Sequence, residues 1–203
     1  RALMLGALSV GQTQIFGLLE GQDVLATAGA VAALGADVRR HEDGSWQIFG
    51  CGVGGLAAPD DIIDMGNSGT GVRLLMGLLA GQPITAVLTG DASLRTRPMA
   101  RIMEPLHQMG VIFTSAENDR LPVTVNAPTE LMPIIYETPI ASAQIKSAVL
   151  MAGLAAPGET TVVEPVPTRD HTERMLRHFG ADIRIKSNLG GEKVITVVGQ
   201  PEL

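Results

Sequence analysis

Aromatic residues, cysteine and basic charge are all scarce in this sequence of 203 residues. Phe, Trp and Tyr together make up 3% of it, so the core must consist of aliphatic side chains, methionine and alanine. The single cysteine, Cys51, excludes an intrachain disulfide and favours a reducing compartment. The formal net charge of −6 argues against a nucleic-acid-binding protein, because such proteins usually carry a basic excess.

Long apolar runs and metal-binding patterns are missing as well. No apolar run free of charge reaches the roughly 18 residues that a transmembrane helix needs. The histidines His41, His107, His171 and His178 show no metal-ligand spacing, so we expect neither a metal site nor a cofactor. Hydrophobic residues (45%) and glycines (24) are plentiful, which fits a well-packed core of short elements joined by tight turns.

A threefold repeat is the main organisational signal. An apolar segment that is rich in small residues, stops at glycine and continues into a β-branched run occurs at 3–15, 74–88 and 149–163. A second helical segment that ends at glycine and leads into a strand follows at 23–40, 97–113 and 170–185. The three terminating glycines are Gly35, Gly110 and Gly180. A hairpin pattern comes next in each repeat, in SWQIFG, LPVTVNA and KVITVVG.

This order of elements predicts three similar α/β units packed around a shared centre. The first helix of each unit is apolar on nearly every side, which indicates a buried helix, whereas the second helix is amphipathic. In the second repeat Met99, Ile102, Leu106 and Met109 lie on one helical face. We therefore expect an α/β fold with a threefold repeat of βαβαββ-like units, buried parallel helices and outer sheets.

Small polar residues stand where two of the predicted buried helices begin, at 67–70 in NSGTGVR and 142–146 in SAQIK. Parallel helices would bring their N-termini, with free N–H groups and partial positive charge, to one end of the fold and form an anion site. Arginine suits carboxylates and phosphates because its guanidinium donates two parallel hydrogen bonds. The arginines in or near helix starts are Arg1, Arg73, Arg97 and Arg169. Arg97 should be extended because Pro98 follows it, and Pro98 itself suits the first position of a helix.

Each motif also has a plainer structural interpretation. NSGTG resembles an ordinary capped helix start, and it lacks the Gly-Lys-Ser/Thr sequence of a P-loop. In SAQIKSAV, Ser142 suits an N-cap followed by a solvent-exposed Gln144 and Lys146. DHTE has the spacing of a capping box between Asp170 and Glu173, and there the structural interpretation is favoured.

Four motifs together, NSGTGVR, GDASLRTRPMAR, ASAQIKSAVLMAGL and TRDHTERML, resemble the 5-enolpyruvylshikimate-3-phosphate synthase family, in order and along the whole chain. Family members transfer the enolpyruvyl group of phosphoenolpyruvate to the 5-hydroxyl of shikimate 3-phosphate and release phosphate, in the pathway to aromatic amino acids that glyphosate blocks. They have two domains of three repeated α/β units, which close on the substrates. The resemblance implies that residues 1–203 are one N-terminal domain, trimmed at its first strand and lacking the C-terminal domain, from a bacterial cytoplasmic enzyme.

The resemblance also implies two groups of substrate-binding residues. The residues for shikimate 3-phosphate are Arg1, Ser142, Ala143, Gln144 and Arg169. The residues for phosphoenolpyruvate are Asn67, Gly69, Thr70, Arg97 and Gln144. Arg1 closes a family Lys-Ser-x-Ser-x-Arg stretch whose lysine and first serine are absent here. The family's acid and base groups lie in the other domain, so we expect no catalytic pair in this chain and no activity from it alone.

Two alternatives stay open at this point. The sister enolpyruvyl transferase that acts on UDP-N-acetylglucosamine usually carries a cysteine in the loop equivalent to GDASLRTRP, and this loop has none. The other alternative is a non-catalytic domain that keeps the fold for packing or ligand sensing.

Overall fold

The computed structural model describes residues 1–188 and 190–203. The first repeat contains α1 (Ala2–Leu8), β1 (Val10–Ile15), α2 (Gln22–Ala33), β2 (Asp37–Arg40) and β3 (Trp46–Cys51). The second contains β4 (Ile63–Asp64), α3 (Gly69–Ala80), β5 (Thr85–Thr89), α4 (Ala100–Gln108), β6 (Ile112–Ala116) and β7 (Arg120–Asn126), with a 3-10 turn at Leu94–Thr96. The third contains β8 (Ile135–Glu137), α5 (Ala143–Gly153), β9 (Glu159–Glu164), α6 (His171–His178), β10 (Ile183–Ser187) and β11 (Lys193–Val198).

The predicted order of elements is confirmed in all three repeats. Each repeat builds its own sheet, with strand orders β1-β3-β2, β4-β5-β7-β6 and β8-β9-β11-β10. β4 and β8 pair in parallel with the strand that follows the buried helix, and the remaining pairs are antiparallel. The second and third repeats therefore have the full βαβαββ order.

The three predicted glycine stops are confirmed. Gly35, Gly110 and Gly180 have φ values of 102°, 101° and 95°, a left-handed conformation that strains any residue with a Cβ. After each glycine, the next amide donates to the carbonyl five residues earlier, at 3.2, 3.1 and 3.0 Å. This hydrogen bond closes the last turn of the helix and directs the chain into the next strand.

The first helix of each repeat is buried, as predicted. Every residue from Leu3 to Leu8 in α1 and from Ile145 to Gly153 in α5 is buried, and α3 is exposed only at Thr70. The backbones of α3 and α5 touch, since a Cβ on Gly77 would lie 2.3 Å from the carbonyl oxygen of Ala148. Within the described part of the chain, no helix has the length and apolar character needed to cross a membrane.

The second helix of the middle repeat is amphipathic, and its predicted apolar face is 0% exposed at Met99, Ile102, Leu106 and Met109. Its predicted start is wrong, because α4 begins at Ala100 and leaves Pro98 outside the helix. The Met99 amide donates to the carbonyl of Asp119 at 2.8 Å, a tertiary hydrogen bond that holds Met99 at the N-cap position just before α4.

Candidate functional site

The NSGTGVR motif lies at the start of α3. Ser68 occupies the N-cap position, but its side chain makes no capping hydrogen bond and instead donates to the carbonyl of Asp23 at 3.4 Å. The plain interpretation of this motif as a side-chain-capped helix start is therefore wrong. The Gly69 amide donates to the Asn67 carbonyl at 2.9 Å, whereas the amides of Thr70 and Gly71 belong to the first turn and have no acceptor within the helix.

A cavity of about 270 Å³ opens at this helix start. Its lining residues are Asp23, Asn67, Ser68, Gly69, Thr70, Arg73, Arg97 and Gln144. All five residues that the sequence assigns to phosphoenolpyruvate are among them. The structure thus brings together residues from α3, from the loop before α4 and from the start of α5.

Arg97 is held at the cavity wall by a chain of polar contacts. Its backbone is extended (φ −87°, ψ 129°), as the following proline predicts. Its Nη2 donates to Asn67 Oδ1 at 2.6 Å, and Asn67 Nδ2 donates to Asp91 Oδ2 at 2.8 Å. The Leu94 amide, the Asn67 side chain and the Arg97 charge lower the pKa of Asp91. Asp91 therefore stays ionised at neutral pH, and this chain of contacts weakens only as the pH falls toward that lowered pKa.

Arg73 lies at the base of the cavity and is only 6% exposed. Its guanidinium donates to the carbonyls of Gly69 and Pro98 at 3.4 and 3.3 Å and to Gln144 Oε1 at 3.2 Å, all neutral acceptors. Within the described ranges its buried Nε has no partner. Burial, and then the positive charges of Arg101 and Arg97, lower the pKa of Arg73.

Gln144 joins the starts of the two touching helices. It donates through Nε2 to Thr70 Oγ1 at 2.9 Å while its Oε1 accepts from Arg73. Ser142 is the predicted N-cap of α5, and its hydroxyl accepts from the Ile145 amide at 3.3 Å. The N-termini of α3 and α5 therefore lie side by side, which makes these two helices parallel.

The residues predicted for shikimate 3-phosphate, apart from Gln144, lie outside the walls of this cavity. Half-buried Arg1, at the start of α1, donates through Nε to Thr172 Oγ1 at 2.8 Å. Burial and the charge of the exposed Arg169 lower the pKa of Arg1. Ser147 connects this group to α5, because its hydroxyl contacts Thr172 Oγ1 at 2.7 Å and donates to the carbonyl of Ala143 at 2.6 Å. The starts of α1 and α6 thus lie beside the first turns of α5.

The residues behind this second group show that two of the plainer structural interpretations of the sequence are wrong. Lys146 is 0% exposed, with its Nζ 3.0 Å from Glu164 Oε2 and 2.6 Å from Glu173 Oε1. The predicted solvent-exposed lysine is therefore wrong. The predicted capping box is wrong too, because the Asp170 side chain makes no capping hydrogen bond and Glu173 turns into the core toward Lys146.

Sequence reasoning left three cavity residues out of the predicted substrate contacts: Asp23, Ser68 and Arg73. The sequence did contain a signal that could have placed Arg73 at the cavity, because it follows Gly69 by four residues and so lies on the same helical face. Asp23 comes from the start of α2 in another repeat, and nothing near it in the sequence links it to NSGTGVR.

A larger cleft of about 620 Å³ lies between β1 and α6. Phe16, Met175 and Phe179 contribute apolar surface to it, beside His171 and Arg174. The smaller cavity is the stronger candidate for anions, because two guanidinium groups and the start of a buried helix meet there.

Comparisons with known proteins agree with this geometry. A family model described as EPSP synthase (3-phosphoshikimate 1-carboxyvinyltransferase) matches residues 1–203. Proteins named 3-phosphoshikimate 1-carboxyvinyltransferase from Paramagnetospirillum magneticum and Paracoccus denitrificans are 59% and 60% identical to it, over 100% of this chain and 46% of each relative. The structure of EPSP synthase from Acinetobacter baumannii matches with a TM-score of 0.92 and 46% identity, over 100% of this chain and 44% of that one.

The chain spans about half the length of the curated relatives it matches. The family model nevertheless covers all of this chain, and the repeats and the motifs of the cavity agree with it. On this evidence the chain belongs to the EPSP synthase family.

Proposed function

We propose that this chain is the substrate-binding half of an enzyme that transfers the enolpyruvyl group of phosphoenolpyruvate to shikimate 3-phosphate. In this proposal Asn67, Gly69, Thr70, Arg97 and Gln144 bind phosphoenolpyruvate. The residues that bind shikimate 3-phosphate are Arg1, Ser142, Ala143, Gln144 and Arg169. Gln144 serves both substrates because it stands between the two groups.

The uncompensated charge of Arg73 is the observation that carries this proposal. A buried guanidinium is costly unless an anion faces it, yet the acceptors of Arg73 in the structure are neutral. Arg97 adds a second positive charge to the same cavity, and among the residues that the structure describes, the exposed Asp23 is the one acidic residue on its wall. A small carboxylate or phosphate entering the cavity relieves the repulsion between the arginines and accepts their hydrogen bonds.

Among the described residues that line the cavity, the ionisable ones are Asp23, Arg73 and Arg97. The reaction needs a base for the 5-hydroxyl and an acid for the methylene carbon. We propose that the rest of the full-length enzyme supplies both, in the bacterial cytoplasm, and that residues 1–203 are a single domain that is inactive alone. Turnover of both substrates by the purified 203-residue chain would contradict this part of the proposal.

Titration of the isotope-labelled chain with shikimate 3-phosphate tests binding directly. Saturable shifts are expected at the backbone amides of Ser142 and Gln144, because they lie at the start of α5 beside the predicted ligand. UDP-N-acetylglucosamine serves as the control ligand and should leave these amides unmoved. Saturable binding of UDP-N-acetylglucosamine alone, or of neither compound, would overturn the proposed substrate.

A further inference from the structure

A buried ionic cluster, formed by Lys146, Glu164 and Glu173, lies directly behind the second group of predicted substrate residues. The three side chains are 0%, 0% and 2% exposed. The cluster joins three elements, because Lys146 lies on α5, Glu164 ends β9 and Glu173 lies in the first turn of α6. Such a cluster does little for net stability compared with an apolar core, so its presence calls for another role.

Three of the four predicted contacts to shikimate 3-phosphate outside the cavity lie close to this cluster: Arg1, Ser142 and Arg169. Ser142 lies one helical turn before Lys146, whose backbone amide donates to the Ser142 carbonyl at 3.2 Å in the first turn of α5. Glu164 accepts from the hydroxyl and, at 3.5 Å, from the amide of Thr168, the residue before Arg169. Next to Glu173 in α6, Thr172 accepts from Arg1.

The cluster contains more negative than positive charge. One ammonium group faces two carboxylates, and within residues 1–188 and 190–203 the buried Oε2 of Glu173 has no hydrogen-bond partner. Burial and the charge of Arg169 lower the pKa of the Arg1 guanidinium, and the charge of Glu173 offsets part of this shift. Glu173 therefore stabilises the positive charge of Arg1, while Lys146 holds Glu173 in place.

We propose that Lys146 is a positioning residue for the phosphate group of shikimate 3-phosphate, a role that rests on the proposed function. By binding both buried carboxylates, Lys146 fixes the start of α5, the loop before α6 and the start of α6 relative to one another. This arrangement holds Ser142, Arg169 and Arg1 at fixed positions before the ligand arrives. A preorganised site of this kind loses less conformational entropy on binding.

The smallest test removes one hydroxyl at the edge of the cluster. Thr168→Val deletes the hydroxyl hydrogen bond to Glu164 but keeps the amide bond and leaves Lys146 paired, whereas Thr168→Ser keeps the hydroxyl. We expect Thr168→Val to weaken shikimate 3-phosphate by about fivefold to tenfold, in line with the usual net contribution of one hydrogen bond, and Thr168→Ser to retain the affinity. Thr161→Val is the matched control, because it removes a comparable hydroxyl contact to Thr196 on the outer sheet.

Affinity for unphosphorylated shikimate distinguishes positioning from general loosening. A positioning role lowers the ratio of shikimate 3-phosphate affinity to shikimate affinity, because the misplaced groups face the phosphate. A merely structural role lowers both affinities in proportion. An unchanged ratio in Thr168→Val would therefore overturn the proposal.

A second variant removes all three charges at similar volume: Lys146→Met with Glu164→Gln and Glu173→Gln. Removal of a net negative charge alone should tighten phosphate binding, whereas loss of positioning weakens it. Weaker binding by about tenfold or more, in a chain whose thermal unfolding stays cooperative, supports the proposal. Tighter or equal binding contradicts it. Failure of the unaltered chain to bind shikimate 3-phosphate would instead overturn the proposed function.

Discussion

The two halves of the candidate site are built differently. The cavity at the start of α3 is held by partly exposed contacts, in which Arg97, Asn67 and Asp91 form a chain along a loop. The group around Arg1 and Arg169 rests on a fully buried cluster centred on Lys146. The contrast indicates that one half can adjust its loop around a ligand, whereas the other is fixed by the core. Mutations in the first half should therefore affect binding alone, whereas mutations in the second half should affect folding as well as binding.

Replacement of Lys146 by alanine should produce the largest effect. It leaves Glu164 and Glu173 buried without a cation, so the free energy of unfolding should fall by about 3–5 kcal/mol. Denaturant unfolding measures this change, with Lys186→Ala, an exposed lysine on β10, as the control. A loss below about 1 kcal/mol would contradict the described cluster, because surface substitutions alone change the free energy of unfolding by about 0.5 kcal/mol.

Replacement of Arg97 by alanine should affect binding instead. We expect the affinity of the full-length enzyme for phosphoenolpyruvate to fall by about 2–4 kcal/mol, through loss of a charged, hydrogen-bonded pair. Unfolding should change little, because Arg97 is only partly buried. Calorimetric titration beside Arg95→Ala, an exposed neighbour, measures the effect. Unaltered affinity for phosphoenolpyruvate would remove Arg97 from the site.

A methyl group at Gly69 tests how closely the cavity fits its ligand. A Cβ there would lie 2.7 Å from Arg97 Nη1, so the guanidinium must shift. We expect Gly69→Ala in the full-length enzyme to weaken glyphosate by about 1–3 kcal/mol, the usual range for overpacking, and phosphoenolpyruvate by less. Gly29→Ala, with open space around it, should affect neither ligand. Equal losses for both ligands would count against this account.

The smallest effect is expected at the helix cap. Ser142→Ala removes the side-chain acceptor for the Ile145 amide, so unfolding should become easier by about 1 kcal/mol. Ser142→Asn restores a capping oxygen and should restore most of that stability while still disturbing shikimate 3-phosphate. A stability loss as large as that of Lys146→Ala would show that the start of α5 depends on the cap more than on the buried cluster.

Much of the fold was predictable because local signals repeat three times. Glycine at the end of each second helix, a uniformly apolar first helix and alternating strands depend on nearby residues alone. The start of α4 was not predictable, since the Met99 amide is held by Asp119 from the following hairpin.

The site was predictable where its residues share a motif and unpredictable where they do not. Asn67, Gly69 and Thr70 lie within four consecutive positions, and the cavity contains all three. Lys146 looked solvent-exposed because lysine usually is, and only the tertiary fold brings two distant glutamates to it. Asp23 reaches the cavity from another repeat for the same reason.

The central claim is that the starts of the buried helices converge on a site for small phosphorylated acids. A crystal structure of the chain with shikimate 3-phosphate and phosphoenolpyruvate bound would test it most directly. The account predicts a carboxylate or phosphate within hydrogen-bond distance of Arg73 and Arg97, and the phosphate of the shikimate ring near Ser142 and Arg169. Ligand bound instead in the cleft beside Phe16, with the cavity at Gly69 empty, would contradict it.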